Sequence, residues 1–100
     1  MTISDLSQRI QARDGAATVI YSKPGCQPCR MTKRKLDAAG MYYTEVDVTQ
    51  DETAYAYIKD TLGYSGVPVV YVSTLDGDVH WQGLNVAMIE AHITKRVEAA

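Results

Sequence analysis

No apolar run in this chain of 100 residues approaches the ~18 residues that a membrane-spanning helix needs. Residues 1–16 carry neither the basic start nor the apolar block of a secretory signal, so the expected compartment is the cytosol, that is, the cytoplasm. Excess positive charge is lacking too. The 10 basic and 12 acidic side chains are spread along the chain for a net charge of −2, which points to no nucleic-acid partner and no membrane surface. Proline is scarce, at three, and there is no low-complexity stretch. Residues 1–100 therefore read as one domain, long enough to bury roughly 60–70% of its unfolded surface without covalent staples. Cysteine is limited to two residues, Cys26 and Cys29, in C-x-x-C spacing. In a compartment that keeps thiols reduced, such a pair reads as redox-active or metal-binding rather than as a structural staple.

The pair lies between two contrasting runs. Thr18-Val19-Ile20-Tyr21 is β-branched and aromatic and suits a buried parallel strand, whereas residues 31–39 are rich in helix formers. Cys26 is thereby predicted at a helix N-terminus. Unpaired backbone N–H groups and the positive end of the helix dipole favour a thiolate there, and a cysteine pKa in such a place falls from about 8.5 to between about 3.5 and 7.5. A thiolate attacks disulfides and a thiol does not. Cys29, three residues on, is placed to attack the mixed disulfide formed at Cys26 and leave Cys26 and Cys29 oxidised.

Along the chain, Ile3, Leu6 and Ile10 predict a short amphipathic helix over residues 4–13, ended by Asp14-Gly15. Residues 16–21 form the first strand. Lys23-Pro24-Gly25 turns the chain, Pro28 is tolerated in the first helical turn, and Gly40 closes that helix. Residues 41–48 read as a second strand. Thr49-x-x-Glu52 is a capping box for a helix over residues 50–62, with Ala54, Ile58 and Leu62 on one face and Gly63 ending it. Residues 67–72 form an apolar central strand, Asp76-Gly77 a tight turn, and residues 78–82 an antiparallel partner. Asn85 caps a last helix with Ile89, Ile93 and Val97 in a stripe. This (α)βαβ–ββα order predicts an α/β sandwich of the thioredoxin type, a four-stranded mixed sheet flanked by helices, with residues 1–14 as a helical N-terminal extension. Its C-x-x-C falls at the C-terminal end of a strand, where open α/β sheets place their sites.

A metal site by the same spacing needs more ligands than two cysteines. Only His80 and His92 remain as soft donors, without ligand spacing, and both are expected on solvated faces. Pro68, in Ser65-Gly66-Val67-Pro68-Val69, opens a strand that reads as central. A cis Val67–Pro68 bond would account for it and aim the Val67 backbone toward Cys26, where it can pair with an extended substrate segment. Trp81, in Trp81-Gln82-Gly83-Leu84, reads either as part of a partner-facing surface or as a core residue. Lys23 supports the thiolate or meets an acidic partner, and Lys33-Arg34-Lys35 reads as a solvated helix face, with a docking patch as the alternative.

Together, Tyr21-Ser22-Lys23-Pro24-x-Cys26-x-x-Cys29, Gly63-Tyr64-x-x-Val67-Pro68-Val69-Val70 and Trp81-x-Gly83-Leu84 resemble the glutaredoxin-like redoxins, most of all the NrdH-type redoxins that donate electrons to class Ib ribonucleotide reductase. The resemblance covers residues 18–97. It implies a glutaredoxin-like fold with Cys26 as nucleophile and Cys29 as resolving thiol. By that resemblance Val67 and Pro68 form a cis-proline loop, and Trp81, Gly83 and Leu84 lie on the surface that meets partners; Lys23, Gln27 and Pro28, beside the cysteines, are expected to bind substrate or partner as well. By the same resemblance the electron donor is thioredoxin reductase and the acceptor is ribonucleotide reductase or another disulfide protein. The protein would act as a monomer, and no metal or cofactor is implied beyond the Cys26–Cys29 disulfide. The chain departs from the pattern in placing Gln27-Pro28 between its cysteines and in reducing W-S-G-F-R-P-D to Trp81-Gln82-Gly83-Leu84-Asn85-Val86-Ala87. A glutathione-dependent glutaredoxin is the alternative, although the Gly-Gly-x-Asp that holds glutathione has no counterpart here. A metal or iron–sulfur module through Cys26 and Cys29 is the alternative of another class. Thioredoxin itself differs more, since no tryptophan precedes Cys26 and Ile20 stands where thioredoxins carry a buried acid.

Overall fold

The computed structural model describes residues 16–94. Their elements are β1 (Ala16–Ser22), α1 (Gln27–Ala38), β2 (Thr44–Asp47), α2 (Glu52–Ala56, continued by a wider turn over Tyr57–Thr61), β3 (Val69–Thr74), β4 (Gly77–Gln82) and α3 (Val86–Ile89, continued over Glu90–Thr94). The strands form one four-stranded sheet in the order β2-β1-β3-β4. β1 and β2 are parallel, with Ile20 opposite Glu45. β3 runs antiparallel to β1, with Ile20 opposite Val70, and β4 antiparallel to β3. The mixed sheet expected from the sequence is therefore present. The expected helix over residues 4–13 and Val97 of the apolar stripe lie outside the described residues.

Alternation along the strands gives the sheet two differently filled faces. On one, Ile20, Val70, Val72 and Trp81 pack with Leu36 of α1, Met41, and Ile89 and Ile93 of α3. On the other, Val69 packs with Val48 and Ile58, joined by partly buried Tyr21, Ala54, Tyr57, Leu62, Tyr64 and Val67. The register of β1 and β3 sets Tyr21 opposite Val69. The chain leaving β1 toward Cys26 and the chain entering β3 from Pro68 thus meet at the same end of the sheet.

Several boundaries differ from the sequence reading, each for a local reason. β2 is shorter than residues 41–48 because the chain is still leaving α1. The Met41 N–H donates to the Leu36 C=O at 3.0 Å and the Gly40 N–H to the Asp37 C=O at 3.0 Å. This closure needs a left-handed residue, which Gly40 supplies at φ 77°. Met41 itself is core, 3% exposed. α2 is capped by Asp51, not by Thr49: Asp51 Oδ1 accepts from the Ala54 N–H at 2.9 Å. Thr49 is already engaged, giving its N–H and its hydroxyl to Asp47 Oδ1 at 2.9 and 2.6 Å. The C-terminal part of α2 widens, with the Leu62 N–H reaching back to the Tyr57 C=O.

β3 starts two residues later than expected, since Pro68 has no N–H for the ladder. The hairpin loop is Leu75-Asp76 rather than Asp76-Gly77, because Gly77 pairs with Thr74. Thr74 Oγ1 fastens that loop by accepting from the Asp76 N–H and donating to the Gly77 C=O, at 3.1 and 2.7 Å. Asn85 caps α3 as expected, its Oδ1 accepting from the Met88 N–H at 3.1 Å.

Candidate active site

β1 ends at Ser22, Lys23-Pro24-Gly25 turns with Gly25 at φ 72°, and Cys26 takes the N-cap of α1 in extended conformation at φ −94° and ψ 106°. Pro28 falls in the first turn, where its missing N–H leaves no hydrogen bond unmade. Cys26 and Cys29 are joined by a disulfide across a Cα–Cα separation of 5.2 Å. Cys26 Sγ also accepts the Cys29 N–H at 3.2 Å, so a sulfur serves as the helix cap. The two sulfurs differ in access, Cys26 being 7% exposed and Cys29 1%. Lys23, Gln27 and Pro28, close to them in the chain, are exposed.

Beside the end of β1 sits a polar cluster that the sequence reading did not anticipate. The buried Ser22 hydroxyl donates to Glu45 Oε2 at 2.6 Å, and Lys33 Nζ meets the same oxygen at 2.9 Å. The Ser22 hydrogen bond, then that from Lys33, holds the Glu45 carboxyl below its ordinary pKa. The signal in sequence was slight: Glu45 reaches both partners only once β2 lies parallel to β1.

The Val67–Pro68 peptide is cis. Pro68 is buried and Val67 half-buried. Three bonds join this loop to β4 and its end. The Gly83 N–H donates to the Pro68 C=O at 2.8 Å, Gln82 Nε2 donates to the Gly66 C=O at 3.1 Å, and the Tyr64 hydroxyl lies 2.7 Å from His80 Nδ1. Gly83 turns at φ 84°, and Leu84 beyond it is 39% exposed.

Trp81 is placed otherwise than the partner-facing assignment. It is 4% exposed and part of the main apolar core, because the alternation of β4 sends residues 79 and 81 to the α1 side of the sheet. The same alternation sends His80 to the other face, where its ring stacks on Tyr71 at 5.5 Å. His80 is therefore half-buried and hydrogen-bonded instead of solvated. His92 is half-buried as well, 6.1 Å from the Trp81 ring centre. Among the described residues, no group of three or more His, Cys, Asp or Glu gathers in a way that would hold a metal.

A disulfide at the head of the helix after β1, on a sheet ordered β2-β1-β3-β4, is the arrangement of thioredoxin-fold thiol–disulfide oxidoreductases, which work through the cysteine pair itself. The glutaredoxin family model matches residues 18–77, and the chain belongs to the glutaredoxin family. It is similar to the Gene 56 protein of Mycobacterium phage L5, 44% identical over 59 residues that cover 59% of this chain and 57% of that protein. An uncharacterized glutaredoxin-like 8.6 kDa protein in the rubredoxin operon of Clostridium pasteurianum is 33% identical over 76 residues, 76% of this chain and 96% of that one. Among solved structures, the glutaredoxin-like NrdH-redoxin of Escherichia coli superposes with a TM-score of 0.66 at 26% identity, covering 76% of this chain and 93% of its own.

Proposed function

We propose that this chain is a dithiol electron donor that takes electrons from thioredoxin reductase and reduces a protein disulfide, that of ribonucleotide reductase, in the cytoplasm. The observation that carries the reading is the asymmetry of the two sulfurs. Cys26 is the more exposed and caps a helix with its sulfur, a position that favours an anion. In the reduced protein the Cys26 thiolate attacks one sulfur of the substrate disulfide. That S–S bond breaks, a mixed disulfide forms at Cys26, and the departing substrate thiolate takes a proton from solvent. Cys29, as thiolate, then attacks Cys26 Sγ. The second substrate thiolate leaves, Cys26–Cys29 is again oxidised, and two electrons have passed to the substrate. An extended substrate segment pairs with the Val67 backbone beside the Pro68 loop, while Lys23, Gln27, Pro28, Gly83 and Leu84 form the rim it meets.

Thioredoxin reductase is favoured over glutathione as the donor on two counts. The stretch Gln82-Gly83-Leu84-Asn85 offers no carboxylate to hold the charged end of glutathione. The similar NrdH-redoxin of E. coli is a glutaredoxin-like protein described by a thioredoxin-like activity profile. The test is NADPH oxidation with a disulfide substrate, supplied either by thioredoxin reductase or by glutathione with glutathione reductase. Turnover with thioredoxin reductase alone is expected, and turnover only with glutathione would overturn the assignment of donor. Cys29→Ser is expected to accumulate a mixed disulfide through Cys26, and its attachment elsewhere would overturn the order of attack.

A further inference from the structure

Charge is distributed unevenly about the disulfide although the chain is nearly balanced overall. From Lys23 to Leu36 stand five cations, Lys23, Arg30, Lys33, Arg34 and Lys35, and no acid. From Glu45 to Glu52 stand four acids, Glu45, Asp47, Asp51 and Glu52, and no cation. The first segment is the turn and helix that carry the sulfurs. The second begins in β2, whose last residue Asp47 lies beside Ser22 at the same end of the sheet.

The two sides also differ in what their charges are doing. At the sheet end, Asp47 is held by Thr49 and Asp51 by the first turn of α2. Of the cations, Lys33 is paired with Glu45. Lys23 and Arg34 are exposed and have no ion-pair partner among the described residues. Arg30 donates to Gln27 Oε1, which draws its guanidinium toward the residue next to Cys26. Gln27, Arg30 and Arg34 follow one another at spacings of three and four, so they share one exposed face of α1 that begins at the disulfide.

We infer that this face is a docking stripe for an acidic partner: the protein disulfides this chain reduces best are carried on segments whose flanking residues are carboxylates, which lie along Lys23, Arg30 and Arg34. The inference rests on the redox reading of Cys26 and narrows its substrate class. The charges act within a screening length of about 10 Å at 0.1 M salt, close enough to speed encounter and to set the direction in which an extended segment crosses the sulfurs. Carboxylates over α1 would be favoured, and carboxylates over the acidic segment after β2 disfavoured. A single orientation of the substrate chain follows from that difference.

The test uses the pre-reduced protein and three synthetic disulfide peptides that differ only in having Glu, Gln or Lys on either side of the cysteines. Release of peptide thiols is followed at about 20 mM and about 0.5 M salt. At low salt the Glu peptide is expected to react roughly tenfold faster than the Gln peptide and the Lys peptide slower still, with the spread collapsing to about twofold at high salt. Equal rates at low salt, or a Lys peptide that is fastest, would overturn the inference. In the double variant Arg30→Glu/Arg34→Glu the order is expected to invert, and retention of the Glu preference would equally overturn it. If the double variant fails to fold, the peptide series on the unaltered protein stands by itself. Failure of the pre-reduced protein to reduce any of the three peptides would overturn the redox reading and not merely the charge preference.

Discussion

Beneath α1 and α3 the sheet presents Ile20, Val70, Val72 and Trp81, whereas beneath α2 it presents Tyr21, Val69, Tyr71 and His80, with Tyr57 and Tyr64 packed around them. The first face is held by shape. Two of its buried polar atoms, Thr18 Oγ1 and Trp81 Nε1, have no hydrogen-bond partner among the described residues. The second face is held by direction. Its rings meet at centroid distances of 5.5–6.4 Å, and their polar tips are tied, Tyr64 to His80 and Tyr71 to Asp78. The helix that carries the sulfurs is seated by close aliphatic packing, while the Pro68 loop at the same end of the sheet is seated by the packing of Tyr64 and Val67 together with a few hydrogen bonds. A packed helix resists small displacements of Cys26 and Cys29, and a hydrogen-bonded loop can be altered one tether at a time.

The largest expected effect breaks the first face. Ile20→Ala or Leu36→Ala removes a side chain with 0% exposure and should cost about 2–5 kcal/mol, read as a fall in the urea midpoint at unchanged slope. A loss below about 1 kcal/mol would mean that this face can collapse around the gap. A smaller effect should follow on the second face. Tyr64→Phe keeps the ring but loses the bond to His80, at a cost of about 0.5–1.5 kcal/mol. In the peptide assay it should raise KM more than it lowers kcat, since the loop and not the sulfurs is disturbed. A fall in kcat alone would refute the division of labour between the faces.

The smallest effect is electrostatic. Glu45 is held below its ordinary 4.5 by Ser22 first and Lys33 second. The stability this gives is therefore fully present above pH 4.5 and is lost as the pH falls through the lower folded value. Glu45→Gln should flatten the acid limb of stability against pH and leave neutral behaviour nearly unchanged. An acid limb as steep as in the unaltered protein would assign acid sensitivity to other carboxylates.

How much of this could be read from the sequence follows from how local each cause is. The β-branched run at residues 18–21, the helix formers after Cys29, Asn85 as a cap and the break at Pro68 act through their own neighbours, and they specified sheet, site and loop. Thr49 failed as a cap because its hydroxyl is taken by Asp47 at the end of β2, a competitor that spacing alone does not reveal. The hairpin was displaced by one residue because Thr74 fastens the loop. The side of Trp81 was open to reading, since Val79 and Trp81 share a face by alternation, but either face of a strand looks equally available until its partners are known. The Tyr64–His80 and Gln82–Gly66 tethers join residues sixteen positions apart, and no local pattern announces them.

The cap of α1 has one further consequence. Cys26 closes the helix with the same atom that it lends to the disulfide. Replacements at that position are therefore not equivalent as controls. Serine retains an acceptor suited to the N-cap, while alanine removes both the sulfur and the helix stop, so a dead alanine variant confounds lost chemistry with a frayed helix. Any attempt to separate reactivity from architecture in this molecule has to pass through that one side chain.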